Sequence, residues 1–195
     1  PCTDWSVSSP KTAAAVPTVR PRCNPNVNVP DMTKTLNVLV LCTGNSARSI
    51  LGEALFNHLG AGRIRAFSAG SQPSGKVNPV ALETLEKHGI PLPAARSKSW
   101  DEFAAPGAPQ LDFIFTVCAS AAGEACPVWP GHPATAHWGI PDPAHVEPMD
   151  ARREAFEFAY GQLERRIKAF LAMSLETMSA DDIKAAAKMI HEATE

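Results

Sequence analysis

Cys42 opens the stretch Cys42-Thr43-Gly44-Asn45-Ser46-Ala47-Arg48-Ser49, which has the residue types and spacing of an oxyanion cradle. A loop running from a buried strand into a helix N-terminus can turn successive backbone N–H groups toward one point, and such a concavity binds a tetrahedral anion. Gly44 allows close backbone approach, and Asn45 tolerates left-handed dihedrals. Arg48, six residues after the cysteine, can return over the cradle and fork onto two oxygens. We therefore read Thr43, Gly44, Asn45, Ser46, Ala47, Arg48 and Ser49 as the oxyanion-binding residues. Cys42 at the mouth would be a nucleophile. The amides, the helix dipole and the guanidinium all favour thiolate, so a pKa below the free value of about 8.5 is expected. Ser49 is placed to donate a hydrogen bond to the sulfur.

Three further residues carry chemistry. Asp142, ahead of Pro143 in a loop after the fourth strand, reads as a general acid that protonates a departing oxygen. Cys118 and Cys126 are joined by Ala-Ser-Ala-Ala-Gly-Glu-Ala, small and flexible enough to swing one thiol toward another. Cys118 closes the third strand and faces the same crevice as Cys42. These cysteines read as redox-active, against an ordinary role as small buried hydrophobes. No Cys-x-x-Cys or paired-His spacing supports zinc, and His132, His137 and His145 are scattered, so no metal and no cofactor is expected. Trp100, Trp129 and Trp138 read as packing, and His137 as a structural neighbour of the Asp142 loop.

The elements that must hold these residues are legible. Val38-Leu39-Val40-Leu41 is a continuous apolar run, the mark of a strand buried on both faces. A helix over 47–59 stopped by Gly60, a strand over 64–68 and a helix from Asn78-Pro79 to about residue 88 follow. Strands over 113–117 and 135–138 come next, then a helix over 150–173. Ser179 with Asp182 predicts a capped last helix over 180–194. Strands alternating with helices imply an α/β domain whose ligands bind beyond the carboxyl ends of a parallel sheet.

With these residues assembled, the chain resembles the low-molecular-weight protein tyrosine phosphatases, and more closely the arsenate reductases built on that fold. The Cys-Thr-Gly-Asn-Ser loop matches letter for letter. Ser68-Ala69-Gly70, Asn78-Pro79, and His137-Trp138-Gly139 before Asp142-Pro143 match as well. The likeness runs from about residue 37 to 171. It implies a four-stranded parallel sheet flanked by helices in a flavodoxin-like three-layer fold. It also implies an order of events: Cys42 attacks arsenate, Cys118 attacks Cys42 to release arsenite, and Cys126 relays the disulfide to thioredoxin or another thiol reductant. Some resembling reductases hold potassium with an Asn, a Glu, a Ser and an Asp. The first three fall at Asn45, Glu53 and Ser68, but the fourth falls at Lys98, whose ammonium would replace the cation.

The alternative from the same loop is a phosphatase acting on phosphotyrosine or small phosphomonoesters. Such phosphatases usually carry tyrosines after the Asp-Pro. Here Ala144-His145 follows, and Tyr160 is the chain's only tyrosine. A non-catalytic thiol sensor or anion-binding module is a third reading, opposed by the intact Cys42, Arg48 and Asp142.

Composition bounds the rest. The 195 residues carry a formal charge of -2, with no basic patterning, so a nucleic-acid partner is not expected. No apolar run approaches the roughly 20 residues of a membrane span, and no secretory h-region is evident, so the expected place is the cytoplasm, where thiols stay reduced. Residues 1–35 hold six of the 18 prolines and read as a disordered or loosely attached arm. Residues 36–173 read as the reductase domain and 174–195 as a C-terminal helical extension.

Overall fold

The computed structural model describes residues 35–90, 92, 94–118, 129 and 131–194. The arm assigned to 1–35 lies outside them except for its last residue, as does Cys126. In chain order the elements are β1 (Leu36–Cys42), α1 (Arg48–Gly60), β2 (Ile64–Gly70), α2 (Pro79–Lys87), α3 (Asp101–Ala104), β3 (Phe113–Thr116), β4 (Ala134–His137), α4 (Met149–Leu171) and α5 (Ala180–Glu192). All pairings are parallel, in the order β2-β1-β3-β4. The four-stranded parallel sheet expected from the alternating pattern is present.

β1 is buried at every residue but Asn37 because both faces are covered. Val38, Val40 and Cys42 join the cluster made with α1, α4 and α5, while Leu39 and Leu41 join Phe103, Ile114 and Trp129 on the opposite face. That two-sided burial is the physical meaning of an unbroken apolar run. Leu175, Ile183 and Ala187 belong to the first cluster, so the chain after α4 packs on the same core.

The caps follow the sequence. Asn78 accepts from Val80 N–H at the start of α2, and Ser179 accepts from Asp182 N–H at the start of α5. Gly60 was expected as a helix stop and is instead the last helical residue; the left-handed turn comes at Ala61 (φ 46°). A Cβ on Gly60 would lie 2.6 Å from that of Ile64, so glycine is needed there for the close return into β2. The four-residue α3 carries too little periodicity to be read in advance.

Strand order places the site. The chain leaves β1 toward β2, then crosses back to pair β3 on the other side of β1, so the carboxyl end of β1 is a topological switch point. Leu41 is in register with Thr116, and Val117 N–H donates to Leu41 O. Cys42 and Cys118 therefore emerge side by side. Among the described residues no helix is long and apolar enough to cross a membrane.

Candidate active site

The loop after β1 is built from outside inward. Its carbonyls are engaged externally: Thr43 O accepts from Gln72 N–H (3.0 Å), Gly44 O from Ser74 N–H (2.9 Å) and Ser97 Oγ (3.1 Å), and Ser46 O from Asn78 N–H (2.9 Å). With its carbonyls turned away, the loop can present N–H groups to the cradle. Asn45 takes the left-handed conformation, φ 43°. Gly70 makes room for the loop, since a Cβ there would meet Thr43 O at 2.3 Å. The need for glycine in Ser68-Ala69-Gly70 is thus a steric demand of the loop, which the sequence alone did not reveal.

The cleft, of about 830 Å³, is lined by Cys42, Arg48, Cys118 and Asp142 with Thr43, Gly44, Ser46 and Ala47. Arg48 is buried; its Nη1 donates to Ile140 O and its Nη2 to Asp142 Oδ2, both at 2.8 Å. Arg48 Nε is buried with no partner among the described residues, a donor that an oxyanion would satisfy. Asp142 also accepts from Ala144 N–H at 3.0 Å, the local turn bond common for Asp before Pro. Lys76 and His145 line the same cleft. Neither belongs to a motif, so only the folded chain brings them there.

Asn45 and Ser49 lie behind the cradle rather than in it, and both are wholly buried. Asn45 Nδ2 donates to Ser49 Oγ (3.0 Å) and Ser68 Oγ (2.9 Å), and Asn45 Oδ1 accepts from Lys98 N–H (2.8 Å). The bond found at Ser49 thus comes from Asn45, not from a donation to the Cys42 sulfur. Ser68 Oγ donates to Glu53 Oε2, and Lys98 Nζ stands 3.3 Å from that oxygen and 3.4 Å from Ser68 Oγ. The Lys98 ammonium thus pairs with Glu53, while the Lys98 backbone N–H holds Asn45 from behind. Hard cations need oxygen donors, and an ammonium repels them. Arsenate turnover by the wild type is therefore expected to be equal in sodium and potassium salts at matched ionic strength, with a potassium preference appearing in Lys98→Asp. A preference already present in the wild type would contradict this.

The state of Cys42 departs from the sequence expectation. Its thiol is pushed up, first by the hydrogen bond it shares with Cys118 and then by burial; Arg48 and the Gly44 N–H pull the other way and do not prevail. Cys118 Sγ also lies 3.6 Å from Thr43 Oγ1. The expectation weighed the loop and the guanidinium but not a second sulfur packed beside the first. Cys118→Ala removes that contact, so the pH at which iodoacetamide half-alkylates Cys42 is expected to fall. An unchanged midpoint would show that Cys118 does not hold the proton.

Chemically, the arrangement offers a thiol, a guanidinium, a carboxylate and a second thiol around one anion-sized cradle. Among the described residues no group of His, Cys, Asp and Glu could hold a metal ion. The family model for low molecular weight phosphotyrosine protein phosphatases matches residues 37–182. The chain belongs to this family. Within the phosphatase family it is similar to proteins named arsenate reductases. One from Shouchella clausii is 33% identical over 134 residues, covering 68% of this chain and 93% of the relative. The crystal structure of an arsenate reductase from Archaeoglobus fulgidus aligns with a TM-score of 0.54 at 29% identity, covering 70% of this chain and 99% of that one. A thioredoxin-dependent arsenate reductase from Corynebacterium glutamicum aligns with a TM-score of 0.52 at 25% identity, covering 70% and 62%.

Proposed function

We propose that this chain reduces arsenate to arsenite through Cys42 and a disulfide relay. The observation that carries the reading is the second buried thiol, Cys118, which emerges beside Cys42 and lines the same cleft. A phosphatase has no use for a sulfur there, whereas a reductase must take two electrons from thiols. The similarity to arsenate reductases supports the same reading.

Arsenate enters as a tetrahedral oxyanion, held by the loop amides and by Arg48. Cys42 gives its proton to an oxygen of the bound arsenate, while Arg48 and the loop N–H groups offset the anion's charge beside the sulfur. The thiolate attacks arsenic and forms an S–As bond, while one oxygen leaves as water on a proton from Asp142. For this, Arg48 turns its Nη2 from Asp142 to the anion, which frees the carboxyl group to carry a proton. Cys118 thiolate then attacks Cys42 Sγ. The S–S bond forms, the S–As bond breaks, and its electron pair stays on arsenic, which departs as arsenite. Cys126, outside the described residues, then attacks Cys118 and passes the disulfide to an external dithiol, thioredoxin or another thiol reductant. The reading implies the cytoplasm, where such carriers keep thiols reduced.

Aryl phosphate hydrolysis is the second reading, because the same cradle, nucleophile and acid would serve it. A phosphotyrosine clamp is not among the described cleft residues. The chain's only tyrosine, Tyr160, is buried on α4 and stacked on His88 at 3.9 Å between centroids. The test sets arsenate turnover with thioredoxin and its reductase beside hydrolysis of p-nitrophenyl phosphate. Sustained arsenate turnover with slow ester hydrolysis is expected. Fast hydrolysis without arsenite formation would reverse the assignment.

A further inference from the structure

Arg166, on α4, is 2% exposed and stands behind the loop that carries Asp142. Its Nη1 donates to Gly139 O at 3.1 Å, and its Nε donates to Thr194 Oγ1 at 2.8 Å, just past α5. Thr194 Oγ1 in turn donates to Ile190 O, 2.8 Å away in the last turn of α5. The adjacent residue repeats the connection: Trp138, wholly buried, donates its indole N–H to Ala187 O at 2.9 Å. Most of α5 lies beyond residue 182, where the family match ends. From the other side the loop is fixed by Ile140 N–H donating to Val117 O (3.1 Å) and by Arg48 Nη1 donating to Ile140 O (2.8 Å).

We propose that Arg166 is a positioning residue for the general acid, through which α5 and Thr194 hold Gly139 and hence aim the Asp142 loop at the cradle. The proposal rests on the acid role given to Asp142 above. Its logic is mechanical. The loop runs Gly139-Ile140-Pro141-Asp142, and glycine at its root is conformationally free. A buried guanidinium is rigid and forked, so the bonds to Thr194 and Gly139 fix the carbonyl at that root against a helix end. The side chain of Asp142 is 44% exposed and gains no rigidity from burial of its own. Its aim toward the departing oxygen therefore depends on the backbone anchors at 138–140. A catalytic group displaced by about 1 Å loses much of its effect.

A double-mutant cycle tests this. Single-turnover arsenite formation is measured for wild type, Arg166→Met, Thr194→Val, Asp142→Asn, and each of the first two combined with Asp142→Asn. Inorganic phosphate, as a competing oxyanion, reports the cradle through its inhibition constant. Arg166→Met is expected to slow the step about tenfold and Thr194→Val about threefold, inside the roughly 10²–10⁴-fold that a positioned general acid contributes. Phosphate inhibition should be unchanged in both. In the Asp142→Asn background both losses should vanish. Losses that persist in full there, weakened phosphate inhibition to match, or no loss at all would overturn the proposal. If Arg166→Met fails to fold, Thr194→Val decides alone. Asp142→Asn without any loss would instead remove the acid assignment and this proposal with it. Should the chain hydrolyse aryl phosphates and not reduce arsenate, the same cycle on p-nitrophenyl phosphate reads the acid directly.

Discussion

Cys42→Ser is expected to abolish arsenate reduction and aryl phosphate hydrolysis together, by at least about 10³-fold, the scale on which removal of a nucleophile acts. Both reactions begin with sulfur attacking the central atom of an oxyanion. A serine hydroxyl in the same place keeps the shape but not the nucleophile, since a hydroxyl ionises far less readily than a thiol. The variant should stay folded: Cys42 is the last residue of β1 and the change removes little volume. It should also still bind phosphate, because Arg48 and the loop amides remain. Retained turnover of either substrate in Cys42→Ser would remove the basis of the account. Loss of phosphate binding as well would show that the loop had collapsed and that the variant was uninformative about the sulfur.

Cys118→Ser is expected to stop arsenate turnover with thioredoxin almost completely, by at least about 10³-fold on the same reasoning, while leaving hydrolysis of p-nitrophenyl phosphate within about twofold of the wild type, since the nucleophile's own machinery is intact. The two effects separate because a hydroxyl cannot attack Cys42 Sγ and take arsenic's place, whereas an ester needs only the cradle, Cys42 and the acid. Serine keeps a hydrogen-bonding group beside Cys42, so the comparison isolates the chemistry of the sulfur. Arsenate turnover that survives Cys118→Ser would mean that an external thiol resolves the intermediate and that the second buried sulfur has another purpose. A matching loss of ester hydrolysis would make Cys118 part of the shared machinery.

Much of this site was readable from the chain because local chemistry and local structure coincide there. The apolar run at 38–41 is the mark of a strand covered on both faces, and Asn78-Pro79 and Ser179 with Asp182 start helices for reasons contained within four residues. Cys42, Arg48, Cys118 and Asp142 were each picked out by residue type and placement. Their company was not readable. The contact between Cys42 and Cys118 depends on β3 pairing beside β1 in the register that sets Leu41 against Thr116. That pairing is a tertiary fact, and it changes the sign of the shift expected at Cys42. Asn45 and Ser49 belong to the cradle motif, yet the fold uses their side chains to brace it from behind. Lys98 could be placed from the sequence only through the resemblance, and its salt bridge to Glu53 gives the physical ground for that position. Arg166 gave no sign at all. One of several arginines in a long amphipathic helix reads as solvated, and only the burial of its guanidinium between Thr194 and Gly139 distinguishes it.

The most direct test of the central claim is a stoichiometric one. The fully reduced chain is mixed with arsenate in the absence of any external thiol, quenched with acid, and examined for arsenite and for its cysteine pairings by mass spectrometry. The account predicts close to one arsenite per chain, with a disulfide joining Cys118 to Cys126 and with Cys42 recovered as a free thiol. Arsenate left unreduced with all of these cysteines still free would contradict it.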